Sequence, residues 1–125
     1  MSKVVGTLRK VTLDGVTYDA AADASIKAMP SAFENTSVPT SGANVRKMVK
    51  RAQTRESVTL IVGGAEQAAL KALAERLDDF PMSYEEANGD TYTATGFIEF
   101  ESYDTDTGIA TIKMEPRDEW AAFLN

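Results

Sequence analysis

The sequence predicts a mainly β protein, an antiparallel β-sandwich or partly closed barrel with one flanking α-helix. Three observations lead there. Most of the chain consists of short runs of β-forming residues in alternation. Those runs are separated by turn signals, Asp14-Gly15, Asn88-Gly89 and the run Asp104, Thr105, Asp106, Thr107, Gly108. Only one stretch, residues 63–81, carries a clear three- and four-residue apolar period.

Taken in order, residues 3–22 read as a hairpin. Val4, Thr7, Leu8, Val11 and Leu13 lead into Asp14-Gly15, and Val16, Thr17 and Tyr18 lead out. Asp-Gly between β-formers suits a tight two-residue turn, and Ala20 to Ala22 close the segment. In residues 23–33, Ala24, Ile26 and Ala28 alternate with Asp23, Ser25 and Lys27, and Pro30 ends the pattern because it cannot donate to a ladder. Residues 34–43 are rich in Asn, Ser, Thr, Pro and Gly and are expected to form an exposed loop. Residues 44–62 form one long strand or two; Val58, Leu60 and Val62 alternate convincingly, whereas Val45, Met48, Val49 and Ala52 fit a helix as well as a strand. The absence of a stop signal before Val58 favours strand.

A helix is expected over about residues 65–79. Ala69, Leu70, Leu73, Ala74, Leu77 and Phe80 form its apolar stripe, Gly63-Gly64 break the strand before it, and Pro81 stops it. Glu66 suits the first turn; Asp78 and Asp79 oppose the C-terminal dipole and predict fraying. Beyond it, Met82, Tyr84 and Glu86 begin a strand, and Thr91 to Thr95 return after Asn88-Gly89. Ile98 and Phe100 face one way, Glu99, Glu101 and Tyr103 the other. Ile112 and Met114 face inward on the last strand. The tail, residues 116–125, places Trp120, Phe123 and Leu124 on one side of a short helix.

The chain of 125 residues suits a single domain, 1–125, with a long excursion between sheets over about 23–56. No apolar run reaches membrane-spanning length and the N-terminus lacks a signal-peptide pattern, so synthesis in the cytoplasm and no membrane anchor are expected. There is no Cys and no His, which removes thiol and imidazole chemistry, disulfides and Cys/His zinc sites. The formal charge of −6 argues against a general nucleic-acid binder.

Signals for chemistry are weak. The run from Asp104 to Gly108 resembles the start of a calcium loop, but Ile109 stands where that loop needs Gly, so a hairpin turn is the better reading. Gly63-Gly64 before a helix lacks the spacing of a phosphate loop. Glu85, Glu86, Glu99 and Glu101 have no spacing that defines an acid–base pair. No catalytic, metal or cofactor-binding residue is expected. The one basic cluster, Arg46, Lys47, Lys50, Arg51 and Arg55, fits a phosphate patch, a solvated face or an interface with acids of another copy.

The order of elements resembles the tail tube proteins of Mu-like, contractile-tail bacteriophages. Gly6-Thr7-Leu8-Arg9 through Leu13-Asp14-Gly15-Val16 resembles their opening strand and hairpin. Ile26 to Arg55 resembles their long excursion, Thr59 to Leu77 their strand, Gly-rich turn and helix, and Tyr84-Glu85-Glu86-Ala87-Asn88-Gly89 their post-helix strand and turn, with the closing hairpin running to Met114. The tail from Trp120 departs from the pattern. The resemblance implies a tail-tube-like fold and a virion structural role. Six copies close a ring, their sheets join edge to edge, and stacked rings form the conduit through which DNA is ejected without specific binding. It implies self-association and, as partners, tail sheath, baseplate and tape-measure proteins, with assembly in the host cytoplasm. A tube terminator, a baseplate adaptor, or an inner-tube subunit of a pyocin or type VI system would carry the same fold. A small carboxylate-based enzyme or ligand-binding domain is the remote alternative.

Under that resemblance the interface candidates are Arg46, Lys47, Lys50, Arg51 and Arg55, with Glu34 and Asn35 in the loop and Trp120 and Phe123 in the tail. Channel-lining candidates, taken from alternation, are Asp23, Ser25, Lys27, Gln53, Ser57, Thr59, Glu99 and Glu101. Reversing Arg51 and Arg55 to Glu is expected to block assembly of a monomer that still folds.

Overall fold

The computed structural model describes residues 7–21 and 24–124. Ten strands and one helix occur among them: β1 (Leu8–Leu13), β2 (Val16–Ala20), β3 (Lys27–Ala28), β4 (Phe33–Pro39), β5 (Asn44–Lys50), β6 (Arg55–Ile61), α1 (Gly64–Ala74), β7 (Phe80–Glu86), β8 (Thr91–Asp104), β9 (Ile109–Pro116) and β10 (Ala121–Phe123). The protein is mainly β, with every strand pairing antiparallel.

Six strands pair in a closed circuit: β1 with β2, β2 with β6, β6 with β9, β9 with β8, β8 with β7, and β7 with β1. Alternate residues of each point to one buried cluster. Val11 and Leu13, Tyr18, Val58 and Leu60, Phe80 and Met82, Ile98, and Ile112 and Met114 supply its body. Val58, Leu60 and Val62 are buried as their alternation predicts, and so are Ile112 and Met114. Pairing within this circuit uses most of the strand edges. Free edges among the described residues include those of β3, β10, the β4–β5 pair, the start of β2 and part of β8.

The turn chemistry holds. Asp14 and Gly15 take φ of 51° and 84° and join β1 to β2 in two residues. Gly89 and Gly108 take φ of 92° and 73° in the next two hairpin turns. In the second of these the Asp106 N–H donates to Asp104 Oδ1, so the aspartates serve the turn.

The helix is shorter than its apolar period suggests. It starts after Gly63, whose N–H donates to Glu66 Oε1 at 3.1 Å, and ends at Ala74, not 79. Leu70 and Leu73 are buried against β8, while Leu77 is fully exposed and Phe80 enters the core from β7. Two features end the helix early. The acids 78 and 79 oppose its dipole, and Arg76 leaves the axis to bond Asp14 and Asp78 at 2.7 Å each. Those bonds tie the helix exit to the first hairpin turn. The tail also differs from expectation: residues 121–123 are a strand on β8, not a helix.

Two bulges overturn simple alternation. On β6, Arg55 faces Met114 and Val58 faces Ile112, so three steps on one strand match two on the other, and Ser57 takes φ of 59°. On β8 the register shifts between Phe100 and Ser102, which turns Tyr103 to the core side, where its hydroxyl donates to the Val62 carbonyl. Tyr103 was expected on the face of Glu99.

Candidate functional site

The feature that the core does not account for is the β4–β5 hairpin. Residues 34–43 are not a loop: Phe33 pairs with Lys50, Asn35 with Met48, Ser37 with Arg46 and Val38 with Val45. All fourteen residues of the two strands are exposed, and the pair has no substantial packing partner among the other elements. Thr40 and Ala43 close its tip by bonds between the Thr40 hydroxyl and the Ala43 backbone. A two-stranded hairpin is marginally stable alone in water. This one is an arm.

Its two faces follow from the register. Val38, Val45 and Val49 share one face with Glu34, Thr36 and Lys47; Phe33 and Met48 share the other with Asn35, Arg46 and Lys50. Arg46 Nε donates to Asn35 Oδ1 at 2.9 Å across that second face. The arm and the residue after it hold four of the chain's 13 basic residues and one of its 19 acidic ones. The net negative charge of the chain thus conceals a basic arm on an acidic body. No carboxylate lies within ion-pair distance of Arg46, Lys47, Lys50 or Arg51 among the described residues. Arg51 is instead held at the base of the arm, donating from Nε to the Ser31 carbonyl.

Arg55 does not belong with them. It is 5% exposed and donates from Nε to the Tyr84 hydroxyl at 2.7 Å and from Nη1 to the carbonyls of Gln53 and Thr54. Its guanidinium lies 5.0 Å from the Trp120 ring centroid, with Tyr84 and Tyr92 also within reach. The bulge at residues 56–57 causes this, since it moves Arg55 to the inner side of β6. As an interface residue exposed on the protomer, Arg55 is corrected. Trp120 packs edge-on against Tyr84 and donates from Nε1 to the Gln53 carbonyl at 2.7 Å, so its docking is within its own chain. Phe123 on β10 is exposed.

Around this cage burial raises the Tyr84 and Tyr92 hydroxyls above their usual range. Burial also raises the Glu86 carboxyl, with Asp90 adding to the effect and Arg55 opposing it.

Asp23 lies outside the described residues, as do Val4 and Ala22 of the expected first elements. Of the other channel candidates, Lys27, Thr59 and Glu99 lie on strands β3, β6 and β8, with Lys27 opposite Glu56 and Glu99 opposite Lys113, and Glu101 is exposed on β8. Ser25 and Lys27 are exposed beside β6. Gln53 is half-buried, with its side-chain amide donating to the Pro30 carbonyl. Ser57 sits in the bulge. Thr59 and Glu99 face outward from β6 and β8 with β9 between them, where Lys113 pairs with Glu56 and Glu115.

A groove of about 680 Å³ runs between α1 and β8, lined by Gln67, Lys71, Ala74 and Glu75 on one side and by residues 97–100 and Tyr103 on the other. Phe97 stands 44% exposed in it. Sequence reading missed this groove, because Phe97 looks like any apolar residue in an alternating strand. A second groove, over Thr12, Ser83, Thr93 and Thr95, is rimmed by Arg117, Asp118 and Glu119 and holds no nucleophile–base pair. Among the described residues no group of three His, Cys, Asp or Glu is placed to hold a metal. Comparison with family models, with curated proteins and with solved structures found no match.

Proposed function

We propose that this chain is the structural subunit of a bacteriophage tail tube of the contractile, Mu-like kind. Six copies form a ring, and rings stack into a hollow conduit for DNA. The observation that carries the reading is the exposed β4–β5 arm. An arm with valines on one face, Phe33 and Met48 on the other and basic side chains throughout requires a surface outside its own protomer. The acidic body of another copy offers that surface. Arm and body are different parts of the same chain, so the contact is head-to-tail. Such contacts close into rings or continue as filaments. With the arm's cations consumed between copies, an acidic remainder leaves DNA free to slide. Sheath, baseplate and tape-measure proteins are the further partners, and the virion tail is the location.

Negative-stain images of concentrated protein test this reading. Rings and long polymers with a central hole are expected. Rings that never elongate would identify a terminator or adaptor instead, and a monomer at every concentration would contradict the proposal.

A further inference from the structure

The arm joins the body through two short segments, residues 29–32 leading in and 51–54 leading out. The two are bonded to each other. The Met29 N–H donates to the Thr54 carbonyl at 3.0 Å, and the Arg51 N–H to the Ala32 carbonyl at 2.8 Å. The Gln53 side-chain amide donates to the Pro30 carbonyl at 2.7 Å. Beyond this root the arm has no substantial packing partner. A groove of about 540 Å³ lies at its base, with Phe33, Lys50 and Arg51 on one side and Asp118 and Glu119 on the other. No ion pair crosses the groove among the described residues. The arm therefore has room to swing about its root.

The body holds that root at Gln53. The Gln53 carbonyl accepts from Arg55 Nη1 at 3.2 Å and from Trp120 Nε1 at 2.7 Å. Arg55 is itself fixed by the Tyr84 hydroxyl and the surrounding rings. Trp120 is fixed along the chain on both sides. Before it, the Arg117 N–H donates to the Thr95 carbonyl; after it, residues 121–123 pair with β8. Residues 117–123 thus form a strap tied to β8 at both ends, with its middle residue on the arm's root. We propose that this strap sets the direction of the arm, with Trp120 as the positioning residue. An arm held at a fixed angle meets its partner without first being ordered, so docking costs less conformational freedom. The inference concerns the protomer and holds for whatever surface receives the arm.

Trp120→Phe keeps a ring beside Arg55 and removes only the N–H. The Gln53 carbonyl retains its bond from Arg55, so no acceptor is stranded. Amide hydrogen exchange reads the result, since the Met29 and Arg51 amides close the root. Loss of one hydrogen bond is expected to speed these two amides about five- to tenfold, while the β6–β9 ladder keeps its rates. Ala122→Pro is a second variant, at an exposed position two residues beyond Trp120. It weakens the strap's pairing with β8 and is expected to speed the same two amides. Root amides that keep their rates in either variant, or that speed up only in step with the ladder, overturn the proposal. Sedimentation velocity of the same proteins separates this result from the tail-tube reading. Polymers of the natural chain with unresponsive root amides keep the tube and remove the strap. Responsive root amides in a chain that never polymerises keep the strap and remove the tube.

Discussion

Arg55 shows how a single side chain departs from the pattern around it. Its neighbours in sequence made it one of five basic residues, yet it is the buried one. A buried guanidinium is tolerable when its donors are used and aromatic faces surround it. Here three acceptors and three rings meet it. Arg55→Glu leaves a carboxylate facing Tyr84 and two carbonyls and is expected to destabilise the protomer by roughly 3–5 kcal/mol. Urea unfolding measures it; a loss below about 1 kcal/mol would mean the cage contributes little. Arg51 and Arg55 therefore cannot be reversed together as a probe of assembly, because the pair reports unfolding as well.

Glu86 makes a pH prediction. Its carboxyl is raised from the usual value of 4.5 by burial first and by Asp90 second. The folded state then holds this proton more tightly than the unfolded state does. The contribution is full below the unfolded value and is lost as pH rises through the folded one. Glu86→Gln stays neutral throughout. It is expected to match the natural protein at about pH 3 and to exceed it in thermal midpoint at about pH 7. Equal midpoints at both pH values would refute the shift.

Among the elements, those that bury a face were legible and the β4–β5 arm, which buries nothing, was not. Val58, Leu60, Val62, Ile112 and Met114 alternate because a core lies on one side of them. The arm has no core, so Asn35, Thr36, Ser37 and Pro39 read as loop although they sit in a strand. Val45, Met48 and Val49 fit a helix as well as a strand, so the sequence alone did not settle β5. The helix was legible in type but not in length, since the period continued through Leu77 while Arg76 and the two aspartates ended it. The bulges left no signal at all, and through them Arg55 and Tyr103 changed sides. Gly96 is a further silent position. A Cβ there would lie 2.0 Å from the Glu115 carbonyl oxygen and 2.9 Å from Pro116 Cα. β8 and β9 approach too closely for any side chain, so Gly96→Ala is expected to destabilise by about 2–3 kcal/mol as the strands part. A variant with an unchanged urea midpoint would show that the strands yield without strain.

At the scale of the molecule, a closed six-strand circuit encloses the core, and the arm makes no substantial contact with it. Removing the arm's apolar character should therefore spare the protomer and act on association alone. Val45→Asp with Val49→Asp places two carboxylates on the valine face of the arm, while nothing buried in the protomer changes. Sedimentation velocity of this variant beside the natural protein, with far-UV circular dichroism of both, tests the account most directly. The account predicts large polymers for the natural chain and a folded monomer with the same spectrum for the variant. A natural chain that sediments as a monomer at every concentration, or a variant that polymerises as readily as the natural chain, would contradict it.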